Sequence, residues 1–337
     1  MMSKIKIFVS HRIDIHSELV ENSLYIPMRC GAVFDNINPM RISGDNTGDN
    51  ISERRMSFCE FTVQYWAWKN CKADFYGLCH YRRYLSFASR HFPTNEFNMI
   101  YEYSLLPCVK RKYGLLNQQV METEICRYDG IVSEYADVSN IPTPKGRMSS
   151  VREMWEAYDD VFIKKTSIDL LFQLIDDMFP QYSKSAREYF KGNKHRGFNC
   201  FILRKELFKR LCEFQFPIMF AVERQLDTTG YTQTMQRTPA FLGEMLYGIF
   251  LYHITTYEQW EIAEKQLLFI NNTEYIKGRK DIALRYIWHI AEHLSRSLID
   301  PVLPKGSLRR ERAKTVFYKV FPARQRGVAN IEEKDNI

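Results

Sequence analysis

Four short apolar segments constrain the fold of this chain more than any other feature of its sequence. They lie at residues 4–11, 74–80, 128–133 and 198–203, and polar residues bound each of them, as is typical of β-strands. Longer segments of helical character separate them. Strands that alternate with helices predict an α/β fold with an open sheet. Ligands of such sheets bind outside the carboxyl ends of the strands, so the residues there are the first candidates for a site.

The helical segments are recognised by apolar residues at steps of three to four. This spacing predicts helices over residues 58–70 and 166–182 and around 285–298, and a further helix that begins near Lys205. Residues 238–254 are expected to form a largely apolar helix. These helices would cover the sheet.

Composition narrows the class of protein. The chain has 337 residues and a net charge of +7, a mild bias toward anionic partners that is too weak to indicate nucleic acid. The eight cysteines show neither C-x-x-C nor zinc-ribbon spacing, so reduced, buried thiols are expected. We expect no signal peptide, and no apolar stretch approaches the roughly 20 residues of a transmembrane helix. A cytoplasmic protein, or one peripheral on a membrane, is predicted.

A cluster of aromatic and cationic residues follows the second strand directly. The segment HYRRY brings His80, Arg82 and Arg83 to that strand end, and Ser10 and His11 end the first strand. Two arginines there could clamp a diphosphate. His80 could be a metal ligand, a phosphate donor or a general base. The alternative is that the strand leaves the sheet and the arginines are solvated.

The segment GDNTGDN, residues 44–50, predicts a tight polar loop. It has neither P-loop nor Rossmann spacing, but its backbone N–H groups could meet a phosphate. Its members Asp45, Asn46, Asp49 and Asn50 are candidate contacts for a diphosphate group, and the two carboxylates could face a divalent ion. The alternative is a capped surface turn.

Glu244 is the one acid in the apolar segment 238–254. A lone carboxylate is costly to bury unless it is paired or used, and a raised pKa would suit a general base. It could equally lie exposed on the outer face of the helix. Residues 305–326 carry eight Lys or Arg and one acid, which suits docking to an anionic membrane surface or a solvated terminal helix.

These segments, in this order, resemble a bacterial family called domain of unknown function 4422. The GDN loop, the aromatic helix and HYRRY carry the resemblance, and YDGIV, HRGFNCFILRKELF and RTPAFLGEMLYGIFL agree with it further along. Members of the family occur among capsular and exopolysaccharide biosynthesis proteins and are regarded as glycosyltransferases. The resemblance implies a GT-A-like domain at residues 1–255, followed at residues 256–337 by a helical extension with a basic tail.

The resemblance also implies a donor and roles for residues. The donor would be a nucleotide sugar, expected as a UDP-sugar. GT-A enzymes normally hold a metal with Asp-x-Asp, which this sequence lacks. Either Arg82 and Arg83 neutralise the diphosphate, or Mn²⁺ or Mg²⁺ binds through Asp45, Asp49 or His80. By the same resemblance Asn199 and Arg196 are expected to contact the sugar, with Glu244 as the base.

The implied acceptor is a saccharide, expected to be linked to a polyprenyl lipid at the inner face of the cell membrane. It would be a repeat unit of a capsule, an exopolysaccharide or an O-antigen. A non-catalytic protein that binds nucleic acid or nucleotide is the alternative, although the chain shows no nucleic-acid module. A phosphate-ester hydrolase is a third, weaker hypothesis.

Overall fold

The computed structural model of the chain describes residues 3–299 and the isolated positions 302, 309, 312 and 313. The basic tail expected at residues 305–326 lies outside the described residues, apart from three of those positions. In chain order, the strands are β1 (Ile5–Arg12), β2 (Tyr25–Cys30), β3 (Ser43–Gly44), β4 (Phe75–His80), β5 (Arg83–Leu85), β6 (Met99–Ser104), β7 (Gly130–Ser133), β8 (Ala136–Asp137), β9 (Lys194–His195), β10 (Phe201–Arg204), β11 (Ile262–Lys265) and β12 (Leu267–Asn272).

The α-helices follow the expected pattern of alternation with the strands. They are α1 (Arg55–Phe58), α2 (Phe61–Asn70), α3 (Pro107–Lys112), α4 (Gln118–Ile125), α5 (Val151–Glu156), α6 (Thr166–Met178), α7 (Ser183–Lys191), α8 (Lys205–Gln225), α9 (Thr238–Tyr257) and α10 (Arg279–Ile299). The helices expected at residues 166–182, after Lys205, at 238–254 and at 285–298 are confirmed as α6, α8, α9 and α10.

Among the described residues, ten strands form one mixed sheet. Seven of them follow the order β11-β7-β10-β4-β1-β2-β3, and β12, β5 and β6 branch from it at β4. β1 pairs in parallel with β2 and β4, and β3 pairs in parallel with β2. β10 is antiparallel to both of its neighbours, β4 and β7. The carboxyl ends of β1, β2, β3 and β4 therefore lie along one edge of the sheet, which confirms the predicted α/β arrangement.

The centre of the sheet is tightly packed around β4. Five of its six residues are buried, and a Cβ at Gly77 would lie 2.9–3.1 Å from side-chain atoms of Ile7 and Ile202. Only glycine fits there without displacing both neighbours. α9 packs equally closely against α2, because a Cβ at Gly243 would lie 2.6 Å from the ring of Phe61. This packing fixes the position of the next residue of α9, Glu244.

The helix expected over residues 58–70 is interrupted. Cys59 adopts φ 49° and ψ −132°, which ends α1 at Phe58, and α2 begins at Phe61. The Cys59 carbonyl is held by the Cys30 thiol at 3.1 Å and lies 3.1 Å from the Thr62 hydroxyl. Contacts from a neighbouring strand thus stabilise a break that helical periodicity does not reveal.

The first compact unit of the chain runs from Met1 to Tyr275, and the second from Ile276 to Ile337. The first unit extends past residue 255, because β11 pairs with β7, and β12 with β5 and β6, within the main sheet. In the second unit the structure describes helix α10.

Candidate functional site

The carboxyl ends of β1 and β4 lie side by side, because Ser10 pairs in register with His80. β4 does not run out into solvent. His80 pairs with Arg83 across the two residues Tyr81 and Arg82, and the chain returns as β5. Residues 80–83 therefore form the tip of a hairpin, which we call the hairpin tip. It lies at the edge where open α/β sheets bind ligands.

Both arginines of the hairpin tip are held over aromatic rings. The guanidinium carbons of Arg82 and Arg83 lie 5.6 and 5.5 Å from the centre of the Phe269 ring, and Arg83 lies 4.5 Å from the Phe198 ring. Such cation–π contacts hold a cation while leaving its N–H groups free to donate. Among the described residues, Arg83 Nε has no hydrogen-bond partner. The charge is therefore held in place but not neutralised at this atom.

His80 is a neutral imidazole at neutral pH. Burial, and then the charges of Arg83 and Arg82, lower its pKa well below the ordinary value. Its Nδ1 lies 3.4 Å from the backbone N–H of Arg82, which leaves Nε2 to carry the proton. His80 can therefore donate a hydrogen bond to an anionic oxygen without adding a charge.

Ser10 and His11 lie behind the hairpin tip and are buried, with exposed fractions of 3% and 1%. His11 Nδ1 is 3.0 Å from the Ser17 hydroxyl, and its ring lies 6.2 Å from that of Tyr81. Burial lowers the pKa of His11 to about 3. The Ser10 carbonyl accepts from the Tyr81 N–H at 3.0 Å, so both of these candidate residues from the end of β1 support Tyr81.

Glu244 lies half-buried on α9 and faces the same region. Its Oε2 accepts a hydrogen bond from the Phe198 N–H at 3.3 Å. Burial first, and then the charge of Glu60, raise the pKa of Glu244 to about 7, against the opposing charges of Arg83 and Arg237. Phe198 therefore joins the two halves of the site, since its ring contacts Arg83 and its backbone contacts Glu244.

Two further charged residues of the site, Glu60 and Arg237, were not singled out by the sequence analysis. Glu60 stands in the break between α1 and α2, and Arg237 directly precedes α9, with its Nε donating to Cys59 Sγ at 3.0 Å. Glu60 is the one acid in residues 58–70, and a lone acid in an apolar segment is the same kind of signal that identified Glu244. Arg237 lies at the N-terminus of a helix, where the helix dipole disfavours a cation. This unfavourable placement is the sequence signal that could have identified Arg237.

The chain that enters β10 is strained beside these carboxylates. Phe198 and Asn199 both have positive φ, 71° and 42°, a region that costs a residue such as Phe about 1–3 kcal/mol. Asn199 Nδ2 donates to Glu60 Oε1 at 3.4 Å, while its buried Oδ1 has no partner among the described residues. A Cβ at Gly197 would lie 3.4 Å from Glu244 Oε2. The structure thus brings Asn199, predicted to contact the sugar, next to both acids.

Arg196, the other predicted sugar contact, is buried to 1% exposure. Its guanidinium carbon lies 3.6 Å from the centre of the Tyr135 ring, and its Nη2 pairs with Glu264 of β11. These contacts place Arg196 in the packing of the sheet edge, beneath the loop that carries Asn199.

The GDN loop follows β3 and so lies at the same edge of the sheet, but the Asp45 carboxylate is fully buried. It accepts hydrogen bonds from the backbone N–H groups of Gly31 and Ala32 at 2.9 Å, and from the hydroxyls of Ser52 and Thr62 at 2.5 Å. Four donors occupy the acceptor positions of a carboxylate. Asp45 therefore holds the loop together.

The other predicted residues of the GDN loop are held less tightly. Asp49 is exposed and accepts from the Tyr65 hydroxyl at 3.1 Å. Asn50 donates to the Gly48 carbonyl at 2.9 Å, and Asn46 is exposed. The loop packs on α2 through these contacts.

The side chains of the hairpin tip fit an anion better than a divalent metal. Asp45 and Asp49 make the loop contacts just described, while His80 lies among Arg82, Arg83 and Arg237. Within the described part of the chain, no group of three or more His, Cys, Asp or Glu side chains could hold a metal ion. Asp45, Asp49 and His80 therefore do not form a set of metal ligands, and His80 is surrounded by cations. We therefore derive no step through a metal.

A cavity of about 480 Å³ lies at the opposite edge of the sheet. Its lining includes Lys4, Asp74 and Lys205, next to the amino ends of β1 and β4. The lysines are exposed, and Asp74 Oδ2 is engaged by the Lys4 backbone N–H at 2.7 Å.

The carboxylate with the raised pKa, Glu244, instead lies beside the hairpin tip, as do the strained residues Phe198 and Asn199. Arg83 Nε and Asn199 Oδ1, which have no partner among the described residues, lie there too. We therefore take the hairpin tip as the candidate site.

The fold of the chain has a counterpart among solved structures. A solved structure described as the apo form of the bifunctional glycosyltransferase WbbM superposes with a TM-score of 0.73 and 22% sequence identity. The match covers 82% of this chain and 47% of that one, so this chain spans about half the length of the structure that it matches. The expected GT-A-like α/β fold is confirmed.

The chain belongs to the family described as domain of unknown function DUF4422, which it matches over residues 6–255. The resemblance stated from the sequence is therefore confirmed. No curated protein matches this chain. Among the described residues, no helix has both the length and the apolar character needed to cross a membrane.

Proposed function

We propose that this chain is a glycosyltransferase that moves a sugar from a nucleotide-sugar donor to a hydroxyl group of a saccharide acceptor. One observation carries the proposal. A half-buried carboxylate with a pKa of about 7, Glu244, lies beside a cationic hairpin tip at the ligand-binding edge of a GT-A-like sheet. The described glycosyltransferase activity of the structural neighbour supports it.

The donor would bind with its diphosphate at the hairpin tip. Arg82, Arg83 and Arg237 supply positive charge, and neutral His80 donates a hydrogen bond from Nε2. Fixed cations at this position stabilise the charge that develops on the leaving diphosphate. A UDP-sugar is the donor that the family resemblance favours.

Around this centre, the remaining predicted residues would support or complete the donor site. Ser10 and His11 support Tyr81 from behind. The GDN loop would lie on the nucleotide side, with Asn46 and Asn50 toward the donor and with Asp45 and Asp49 maintaining the shape of the loop.

Glu244 would act as the general base of an inverting displacement. The acceptor hydroxyl gives its proton to Glu244, and its oxygen attacks the anomeric carbon. The bond from that carbon to the diphosphate oxygen breaks, and its electron pair stays on the diphosphate. A base with a pKa near 7 is well suited to this proton transfer at neutral pH. Asn199 would orient the donor sugar, held from beneath by the packing of Arg196.

The family resemblance favours a polyprenyl-linked repeat unit of a capsule, an exopolysaccharide or an O-antigen as acceptor. Such an acceptor lies at the inner face of the cell membrane. The eight Lys and Arg of residues 305–326 would then dock the protein to anionic lipid.

Thermal-shift measurements against a panel of nucleotide sugars, with and without Mn²⁺, test the proposal. We expect stabilisation by one donor class without Mn²⁺, and release of the nucleoside diphosphate when a saccharide acceptor is added. Stabilisation by nucleic acid with a steep dependence on salt, and by no donor, would support the non-catalytic alternative instead.

A further inference from the structure

Two adjacent residues hold the two carboxylates of the site. The Phe198 backbone N–H donates to Glu244 Oε2 at 3.3 Å, and the Asn199 side-chain amide donates to Glu60 Oε1 at 3.4 Å. Both residues have left-handed backbone conformations. The strained dipeptide Phe198–Asn199 thus provides one hydrogen-bond donor to each acid. Residues with ordinary φ would not place the two donors in this arrangement.

The backbone that carries Glu60 is also held in place. It directly follows Cys59, whose φ of 49° ends α1. The Thr62 hydroxyl near the Cys59 carbonyl also donates to Asp45 at 2.5 Å, which connects this break to the GDN loop. The fixed backbone of the break between α1 and α2 therefore sets the position of Glu60.

We propose that Glu60 is a positioning residue of the site, which holds Asn199 in place and whose negative charge keeps Glu244 a strong enough base to accept the acceptor proton. This inference rests on the proposed function, because it assigns Glu60 its role through Glu244. It concerns a residue that neither the fold nor the motifs of the chain single out.

The charges around Glu244 favour this role. The groups that face it are Glu60 before α2, Arg83 on β5, Arg237 before α9, and the titratable side chains of Cys59 and Tyr189. His195 also lies near Glu244, because a Cβ at Gly197 would be 2.7 Å from His195 Nε2 and 3.4 Å from Glu244 Oε2. Burial lowers the pKa of His195 to about 4, so it is neutral. Arg83 and Arg237 lower the pKa of Glu244, and among these groups Glu60 is the charge that raises it.

The direction of the effect follows from these charges. Removing the charge of Glu60 favours ionised Glu244, so the pKa of Glu244 falls from about 7 toward its ordinary value. The acid limb of the pH profile of kcat/KM then moves to lower pH. A weaker base also lowers kcat on the plateau at higher pH.

The experiment is a carbon-13 NMR titration of the full chain labelled at glutamate carboxyl carbons. The Glu244 signal is assigned by its loss in Glu244→Gln. We expect a midpoint near 7 in the wild type, a lower midpoint in Glu60→Gln, and an unchanged midpoint in Glu60→Asp. Glu53→Gln is the matched control, because Glu53 is an exposed acid a few residues away in sequence.

A folded Glu60→Gln with an unchanged Glu244 midpoint overturns the inference, as does an equal shift in Glu53→Gln. If Glu60→Gln does not fold, Glu60→Ala provides the test, because it removes the same charge without placing an amide in the site. It should also lower the Glu244 midpoint, and an unchanged midpoint in this variant counts against the inference. The titration needs no activity, so a shifted midpoint in a chain with no transferase activity would refute the proposed function alone.

Discussion

The GDN loop and the hairpin tip lie at the same edge of the sheet, and the polar groups in the two regions differ in whether the fold satisfies them. In the GDN loop, Asp45 accepts four hydrogen bonds from within the fold. At the hairpin tip and beside it, Arg83 Nε and Asn199 Oδ1 have no partner among the described residues. The first region uses its polar groups to stabilise the fold, and the second leaves two of them without a partner among the described residues.

Backbone geometry shows the same difference. Phe198, Asn199 and Cys59 have positive φ, and each lies in contact with a charged residue of the candidate site. Strain of this kind persists only where the surrounding packing enforces it. In the GDN loop the positive φ falls on Gly48, which adopts it without cost. Unpaired polar atoms together with enforced strain therefore distinguish the candidate site from the GDN loop.

The largest expected effect is on catalysis at Glu244. Glu244→Gln should lower kcat by about 10²- to 10⁴-fold, because an amide cannot accept the acceptor proton. Donor affinity should stay within a few-fold of the wild type, since the diphosphate binds at the hairpin tip. Steady-state kinetics and calorimetric titration of the donor measure the two quantities.

Glu213→Gln, at an exposed position of α8, is the control for the change of charge. For the wild type, kcat/KM should rise with pH through about 7, as Glu244 ionises. Unchanged turnover in Glu244→Gln would remove Glu244 from the mechanism and would leave the hairpin tip as a binding site only.

The second effect concerns stability in the GDN loop. Asp45→Ala should lower the free energy of unfolding by about 3 kcal/mol or more, because it leaves two buried N–H groups and two buried hydroxyls without their acceptor. Urea denaturation measures this loss. Where the variant is folded, donor affinity should change little. A stable Asp45→Ala with much weaker donor binding would reverse the roles assigned to the two regions.

Much of the fold could be predicted from the sequence because period and length carry the signal. The four strands at residues 4–11, 74–80, 128–133 and 198–203 correspond to β1, β4, β7 and β10 within a few residues. β11 was not predicted, because it is short and half-buried and lacks an apolar run. β12 was also missed, although it begins with the apolar run LLFI. The break at Cys59 was missed because tertiary contacts to its carbonyl, rather than local propensity, stabilise it.

The site was predicted less completely than the fold. HYRRY and Glu244 stood out because charge next to an apolar segment is visible in a sequence. Arg196 and Asp45 carry equally visible polar groups, but their partners Glu264 and Thr62 lie 68 and 17 residues away. Whether a polar group is already satisfied depends on such distant contacts, and a sequence without its fold does not reveal them.

The third effect is on donor binding at the hairpin tip. Arg83→Gln should weaken donor affinity by about 10- to 100-fold, since a charged hydrogen bond contributes about 1.5–3 kcal/mol. The melting temperature should not fall, because the change removes a cation whose pKa burial and Arg82 already lower. Calorimetry and thermal denaturation measure the two quantities.

Arg204→Gln is the control for loss of an arginine, because Arg204 pairs with Asp129 at 2.8 Å at the far end of β10. Donor affinity should not change in that variant. Equal losses in the two variants would indicate a general effect of net charge instead of a contact at the hairpin tip.

The smallest expected effect is at Asp49, and it is the sharpest test of whether the GDN loop contacts the donor. Asp49 is exposed, and an asparagine oxygen can accept from the Tyr65 hydroxyl as Asp49 Oδ1 does at 3.1 Å. Asp49→Asn should therefore change the free energy of unfolding by less than about 1 kcal/mol and donor affinity by less than about twofold. Affinity tenfold weaker in the absence of metal would mean that the carboxylate contacts the donor directly. A loss that appears only when Mn²⁺ is present would instead bring a metal to the GDN loop, and the hairpin tip would then be only half of the diphosphate site.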